Sequence, residues 1–298
     1  MELPVIQPTR RAEGSGDPPL FAKVGIVGLG LIGGSIAMAA RQLWPSSLVI
    51  AVDNKDVLET AMRLHAVDVA ADDLVVLAES DLIILAAPVQ QNLAILEQLD
   101  DNVRQAAVVT DTGSTKRAIV EHARRLPPRF TFVGGHPLGG AAGGGLEHAR
   151  PDLFKGRPWL FTPSSDAAGD ALEKLLAFAR ALGAEPQVVG AGSHDHLLAY
   201  LSHLPQITAS ALMRIVGETV GTEGLSLAGR GLVDTTRLAS SPAEIWKDIA
   251  ATNADEIGEA LDTLIALLQE LRHDLSSGER LTDVFEAAAR WRTKLASR

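Results

Sequence analysis

One histidine in this sequence has the surroundings of a residue that transfers protons. His136 follows the apolar stretch 131–133, which has the composition of a buried strand, and glycines lie on both sides of it, at 134–135 and within 139–145. Glycines provide little packing to hold a purely structural ring, and imidazole titrates closer to neutral pH than any other unperturbed side chain. We therefore interpret His136 as a general base, with a structural loop histidine as the alternative.

A dinucleotide-binding motif precedes this histidine in the sequence. The G-x-G-x-x-G pattern of Gly28, Gly30 and Gly33 directly follows an apolar strand at 22–27 and opens a helical run at 34–43. In this context the first glycine permits a tight turn, the second lets the backbone approach a pyrophosphate, and the third lets helix and strand pack closely. The helix N-terminus adds free N–H groups and partial positive charge for the phosphates. The alternative is a glycine-rich turn without a ligand.

Asp53 ends the next predicted strand, at 48–52, and lies 20 residues beyond Gly33. A carboxylate at this interval accepts a hydrogen bond from the ribose 2′-OH of NAD. Asn54 and Lys55 follow, so no arginine stands directly after the acid to hold the 2′-phosphate of NADP. The sequence predicts NAD as the cofactor, with NADP less favoured.

Strands and helices alternate over the first 190 residues, which predicts a parallel sheet with right-handed crossovers. Further strands are expected at 81–86, 107–110, 131–133, 159–162 and 186–189, and helices at 89–99, 116–126 and 167–182. Ligands bind beyond the carboxyl ends of such strands. Asp111 there either orders its loop or contacts the cofactor, and Ser114 either caps the next helix or contacts the substrate. The residues expected to contact the cofactor are Gly28, Leu29, Gly30, Leu31, Ile32, Gly33, Asp53, Ala87, Pro88 and Asp111.

The alternation stops after Gly192, and the remaining sequence predicts helices. A long helix is expected at 194–216 with a kink at Pro205, and further helices at 222–228, 232–238, 242–251, 254–275 and 279–295. Leucines and an isoleucine at three- and four-residue spacing in 261–271 mark a buried stripe, which is either core or a dimer interface. The predicted organisation is a disordered leader at 1–20, a dinucleotide-binding domain at 21–190 and a helical domain at 191–298.

The composition excludes several classes of function. A net charge of −10 without a basic tract argues against nucleic-acid binding, and no apolar run is long enough for a membrane helix. The absence of cysteine excludes disulfides and thiolate chemistry, which is compatible with a reducing cytoplasm. No metal site is expected, because His194 and His196 would point to different faces of a helix.

Five segments together resemble the prephenate/arogenate (cyclohexadienyl) dehydrogenase family of tyrosine biosynthesis. They are VGIVGLGLIGGS at 24–35, TDTGSTK at 110–116, GGHPLGG at 134–140, SHLP at 202–205 and DTTR at 234–237. The resemblance extends from about Ala22 to beyond Trp246, and the combination is far more specific than any single motif.

This resemblance implies an α/β Rossmann-type N-terminal domain and an all-α C-terminal domain that forms a homodimer. It implies the oxidative decarboxylation of a cyclohexadienol with NAD or NADP. We expect the conversion of prephenate to 4-hydroxyphenylpyruvate with NAD, and a cytoplasmic location. By match, His136 is the catalytic histidine, Ser114 lies near the substrate hydroxyl, and Arg237 binds a substrate carboxylate. His203 has a structural or site-lining role.

Two departures from the family pattern bear on the choice of substrate. Gln206 stands where members that use prephenate often have histidine, and 139–142 lacks the usual hydroxyl and acid. We expect Gly140, Ala141 and Gln206 to contact the substrate. Arogenate, both substrates, or 4-amino-4-deoxyprephenate stay open as alternatives.

Two more distant functions are alternatives to this one. A β-hydroxyacid-type dehydrogenase would need a lysine on the long helix, and 194–216 contains none. A non-catalytic NAD-binding regulator would need no set of Ser114, His136 and Arg237.

Overall fold

The computed structural model describes residues 18–140, 143–164 and 169–297, so most of the predicted leader at 1–20 lies outside the described residues. The chain divides into two compact units. The first extends to His196 and includes Pro242–Thr252, and the second comprises Leu197–Ser241 and the chain from Asn253 onward.

A twisted sheet forms the centre of the first unit. Its strands are β1 (Lys23–Val27), β2 (Leu48–Val52), β3 (Val69–Ala71), β4 (Leu82–Leu85), β5 (Ala107–Asp111), β6 (Phe130–Pro137), β7 (Pro158–Pro163) and β8 (Glu185–Val188). Their order is β3-β2-β1-β4-β5-β6-β7-β8. The first six strands are mutually parallel, as in a Rossmann-type domain, so the predicted α/β fold is confirmed. The short strand β3 was not predicted.

Helices cover both faces of this sheet and make up the second unit. In chain order the helices are α1 (Leu31–Leu43), α2 (Lys55–Arg63), α3 (Val89–Asn102), α4 (Arg117–Ala123), α5 (Gly169–Ala181), α6 (Ala191–Leu198), α7 (Leu204–Leu225), α8 (Arg230–Thr235), α9 (Ala243–Thr252), α10 (Ala254–Asp274) and α11 (Glu279–Ala296). None of the described helices is long and apolar enough to cross a bilayer.

Two apolar cores hold the helices of the first unit against the sheet. Buried side chains of α1 and α5 pack with Val24 and Ile26 on one face. Those of α3 and α4 pack with Val27 and Ile83 on the other. Strands buried on both faces have nearly continuous apolar sequences, as β1, β2 and β4 do. Their ends are therefore the places where polar side chains can gather.

The strand that carries His136 is longer than predicted, and its outer neighbour runs the other way. β6 continues through His136, which pairs with Leu160 of β7 in an antiparallel register. The described part of the connection between them contains the short 3₁₀ turn Leu146–His148 and no crossover helix. The prediction of a wholly parallel sheet is wrong at this pair.

The predicted helix at 194–216 is interrupted. α6 ends at Leu198, a π-helical segment follows at Ala199–His203, and α7 begins at Leu204. Pro205 lies in the first turn of α7. Proline lacks the N–H that a continuous helix needs at that position, and the wider segment before it absorbs the mismatch.

Helix α9 packs within the first unit, although the sequence analysis assigned its residues to the helical half. The Asp248 carboxylate accepts hydrogen bonds from the N–H groups of Val89 (2.7 Å) and Gln90 (3.0 Å). Pro88 precedes α3 and offers no side-chain cap, so a carboxylate there satisfies the free N–H groups of the helix. The division at residues 190 and 191 stays a prediction.

Candidate active site

The three glycines of the phosphate-binding motif have three different reasons to be glycine. Gly28 has a φ of +94°, a left-handed conformation that favours glycine. A Cβ on Gly33 would lie 1.9 Å from the Gly28 carbonyl oxygen, so α1 can approach β1 only without a side chain there. A Cβ on Gly30 would meet nothing within 4 Å, and no side chain caps α1. The turn thus leaves open space beside free N–H groups, which fits a pyrophosphate.

Asp53 connects the end of β2 to this glycine turn. One of its carboxylate oxygens accepts from the Leu29 N–H (2.6 Å), and the other accepts from the Asn54 N–H (2.7 Å). An open cleft of about 340 Å³ adjoins it and is lined by Leu29, Gly30, Asp53, Asp56, Val57, Thr60, Gly145, Leu146 and Glu147. Three carboxylates and no lysine or arginine line this cleft. That lining suits ribose hydroxyls and opposes an additional phosphate.

The other residues assigned to the cofactor lie around the same turn. The backbone of Ala86 and Ala87, after β4, lies within 3 Å of the position that a Cβ on Gly28 would take. Pro88 is exposed beyond it, while Leu31 and Ile32 are half-buried. Leu29 is fully buried, so only its backbone faces the turn.

The Asp111 carboxylate is paired with groups of the protein. It is fully buried. Its oxygens accept from the N–H groups of Gly113 (2.8 Å) and Gly135 (3.0 Å), and one also pairs with the Lys116 ammonium. Burial lowers the pKa of Lys116, and the Asp111 carboxylate opposes part of that shift. The carboxylate therefore has the ordering role that was one of the two expectations for Asp111, and a contact of this residue with the cofactor stays a prediction.

Ser114 and His136 lie at the edge of the sheet that also carries the glycine turn. Ser114 follows β5 and His136 lies near the end of β6, and these two strands are parallel neighbours. Both residues are half-buried. The residue that precedes α4 makes no side-chain cap to this helix. Ser114 therefore does not cap α4, which was the alternative to a substrate contact. Within the described residues its hydroxyl makes no hydrogen bond to the protein.

A hydrogen-bonded row behind His136 was missed by the sequence analysis. His136 Nδ1 lies 2.9 Å from His194 Nε2, and His194 Nδ1 lies 2.8 Å from Asp195 Oδ1. Asp195 accepts from the N–H groups of Lys116 (2.6 Å) and Arg117 (2.8 Å) at the start of α4. His194 and Asp195 are fully buried. His136 and His194 are 58 residues apart, so no local pattern signals their contact.

Burial would raise the pKa of Asp195, but its hydrogen bonds outweigh that effect. The His194 ring and the N–H groups of Arg117 and Lys116 all stabilise the ionised form, so the pKa lies below its usual range. Asp195 is therefore a carboxylate at neutral pH, which fixes a negative charge at the end of the row.

The second unit contains the remaining predicted residues. Arg237 begins the 3₁₀ turn Arg237–Ser240, its side chain is exposed, and it forms no ion pair with any described residue. Gln206 is buried, and its amide donates to the Leu238 carbonyl oxygen (2.7 Å) and accepts from the Ser241 hydroxyl (3.2 Å). Gln206 thus holds the turn that carries Arg237, and its amide is already committed to the protein.

His203 is buried in the π-helical segment, with its Nδ1 3.4 Å from the Asn253 side-chain nitrogen. Gly140 is exposed in the first unit, and Ala141 lies outside the described residues. Among the residues that the structure describes, no group of His, Asp and Glu has the arrangement of a metal site.

Comparison with known proteins gives concordant matches over both units. Residues 36–188 match the family described as "Prephenate dehydrogenase, nucleotide-binding domain", and residues 190–287 match "Prephenate dehydrogenase, dimerization domain". The prephenate dehydrogenase of Bacillus subtilis (strain 168) is 33% identical over 92% of this chain and 76% of its own length. The cyclohexadienyl dehydrogenase of Zymomonas mobilis is 29% identical over 93% of this chain and 97% of its own length.

Solved structures agree with these matches. The Synechocystis arogenate dehydrogenase is 30% identical, with a TM-score of 0.79 over 92% of this chain and 99% of that one. The A. aeolicus prephenate dehydrogenase, solved with hydroxyphenyl propionate and NAD⁺, is 26% identical. Its TM-score is 0.84 over 92% of this chain and 98% of that one.

Proposed function

This chain belongs to the prephenate dehydrogenase family, and we propose that it catalyses the NAD-dependent oxidative decarboxylation of prephenate to 4-hydroxyphenylpyruvate. The observation that carries the proposal is His136, a histidine oriented by a buried partner, at the sheet edge that also carries the glycine turn. That arrangement supplies a proton acceptor next to a nucleotide site, as the oxidation of a hydroxyl requires.

In the proposed reaction NAD, His136 and Ser114 each have a separate role. Bound NAD supplies the hydride acceptor. His136 accepts the proton of the C4 hydroxyl as the hydride leaves C4, and the Ser114 hydroxyl donates a hydrogen bond to the same oxygen. The bond between C1 and its carboxylate then breaks, CO₂ leaves, and the electron pair completes the aromatic ring. The proton held by His136 returns to the C4 oxygen, so the His136 ring is neutral again at the end of the reaction.

Arg237 is proposed to bind a carboxylate of the substrate. We expect Arg237→Ala to raise KM by roughly 10- to 100-fold with a smaller effect on kcat, because hydrogen bonds to charged groups contribute about 1.5–3 kcal/mol. Arg237→Lys should recover part of this loss, since it keeps the charge but not the bidentate geometry. Arg214, which pairs with Glu218 on α7, provides the control Arg214→Ala. Steady-state kinetics measure both effects, and an unaltered KM in Arg237→Ala removes this residue from the substrate site.

NAD is proposed as the preferred cofactor because of the acidic cleft beside the glycine turn. Asp53→Asn should lower the ratio of kcat/KM for NAD to that for NADP by about tenfold, because a like charge beside the 2′-phosphate is removed. Glu59→Gln is the matched control, since it removes one negative charge from an exposed position of α2 that does not line the cleft. Equal changes of the ratio in both variants would contradict a specific role for Asp53.

Initial rates of NADH formation test the choice of substrate. We expect prephenate with NAD to give the highest kcat/KM among prephenate and L-arogenate, each with NAD and NADP. The second candidate is arogenate, favoured by the likeness to the Synechocystis enzyme. A higher kcat/KM for L-arogenate selects that candidate, and no reduction with either substrate overturns the proposed function.

A homodimer through the C-terminal helices is also proposed, with a cytoplasmic location. The matched dimerization domain supports the dimer, as do large apolar side chains that the second unit exposes on α10 and α11, namely Leu268, Phe285 and Trp291. Apolar groups of this size are costly to leave in contact with water. Light scattering in solution measures the mass directly.

A further inference from the structure

We propose that His194 and Asp195 are positioning residues for His136, which fix its tautomer and stabilise its protonated form during the reaction. The inference rests on the proposed function, in which His136 takes a proton. Neither residue is exposed, so neither contacts the substrate directly, and His136 is the half-buried side chain at the other end of their hydrogen-bonded row.

The hydrogen-bonded row determines which nitrogen of His136 can act as the base. Asp195 is ionised and accepts only, so the His194 Nδ1 beside it at 2.8 Å must carry a hydrogen. In the neutral ring the other nitrogen, Nε2, is then an acceptor. His136 Nδ1, 2.9 Å away, must donate to it. His136 Nε2 is left with a lone pair, which is the form that a proton acceptor needs.

The same row stabilises the charge that forms on His136. When Nε2 takes a proton, the imidazolium donates from Nδ1 to His194, whose other side is held by the Asp195 carboxylate. Charge-assisted hydrogen bonds of this kind are stronger than neutral ones. Asp195 is held in turn by the backbone of α4, through the N–H groups of Lys116 and Arg117, so the row is anchored to a helix.

Other charged groups also face this row. From α4, the Arg117 side chain lies 3.4 Å from Asp195, and the buried Lys116 ammonium pairs with Asp111 at the end of β5. These groups are unchanged in the variants proposed below, so they do not produce differences among them. A shift of the His136 pKa that occurs only in variants of His194 or Asp195 can therefore be assigned to the hydrogen-bonded row.

Two variants separate orientation from charge. In His194→Gln the amide oxygen can still accept from His136 Nδ1, but the connection to Asp195 is lost. In Asp195→Asn the charge is removed while a side-chain oxygen stays for the α4 N–H groups. His196→Gln is the matched control, because His196 is exposed on the same helix.

The expected result is a lower apparent pKa in the pH profile of kcat for both variants, by on the order of one unit. Asp195→Asn removes the buried negative charge, and His194→Gln removes the hydrogen-bonded connection between that charge and His136. The value of kcat at the plateau should fall, while KM and the melting temperature change little. The control should match the unmodified enzyme. A purely structural role would lower the melting temperature or raise KM and leave the profile in place, and that outcome overturns the inference.

An NMR titration of the His136 ring, with NAD bound and without substrate, separates this inference from the proposed function. We expect the His136 pKa to fall in His194→Gln and Asp195→Asn and not in His196→Gln. If that shift is present while the unmodified enzyme oxidises neither prephenate nor L-arogenate, the proposed function fails and the effect of the pair on His136 stands. If the His136 titration is the same in all four proteins, the inference is wrong even where the enzyme is active.

Discussion

Replacing His136 with alanine is expected to lower kcat by about 10²- to 10⁴-fold, the range that general acid–base catalysis usually contributes. KM should change little, because the ring takes a proton in the transition state and is not proposed to bind the substrate in the ground state. The orientation of His136 by His194 at 2.9 Å is the physical reason for the size of this effect. A base held in one tautomer is ready for the proton before the hydride moves.

The pH dependence of the same variant provides an independent measurement. In the unmodified enzyme, kcat should rise with pH as the His136 ring loses its proton, because only the neutral ring accepts one. In His136→Ala that rise should disappear. His273→Ala, at an exposed position of α10, controls for the loss of a histidine elsewhere. An unchanged kcat in His136→Ala would remove His136 from the catalytic step.

The parts of the site that could be predicted from sequence are those whose physical reasons are local. Gly28, Gly30 and Gly33 occupy one turn between a strand and a helix, and the contact that excludes a side chain at Gly33 is with Gly28 of the same turn. Asp53 directly follows the neighbouring strand β2, so its position follows from the strand order of the motif. Short-range spacing therefore contains the information needed to place the glycine turn and the carboxylate beside it.

The parts that could not be predicted depend on contacts between distant segments. The sequence around His194 and Asp195 predicts only a helix start, and their partners His136 and Lys116 lie 58 and 79 residues away. Asp111 has the position of a cofactor ligand because it ends a strand, but its carboxylate is paired with the N–H groups of Gly113 and Gly135 and with a buried lysine. Gln206 was assigned to the substrate, whereas its amide holds Leu238 and Ser241. Burial and pairing decided these roles, and neither can be read from spacing.

The second large effect is expected at Gly33. In Gly33→Ala the new Cβ would lie 1.9 Å from the Gly28 carbonyl oxygen, and because that atom is backbone, α1 or the turn must move. Overpacking of this kind costs about 1–3 kcal/mol or more, which corresponds to a fall in melting temperature of several degrees. The displaced turn should also bind NAD at least about tenfold more weakly, a loss of about 1.4 kcal/mol. Calorimetry measures the NAD affinity, and thermal unfolding without NAD measures the stability.

Gly30→Ala is the matched variant, and the comparison isolates the phosphate site from the fold. Gly30 has a φ of −71°, which alanine adopts freely, and its Cβ would meet nothing within 4 Å. The melting temperature without NAD should therefore stay close to that of the unmodified protein. The methyl group nevertheless enters the space beside the free N–H groups of α1, so NAD affinity should fall on the order of tenfold. If Gly30→Ala binds NAD normally, the pyrophosphate does not lie over this turn, and the weaker binding in Gly33→Ala would then reflect only the damaged fold.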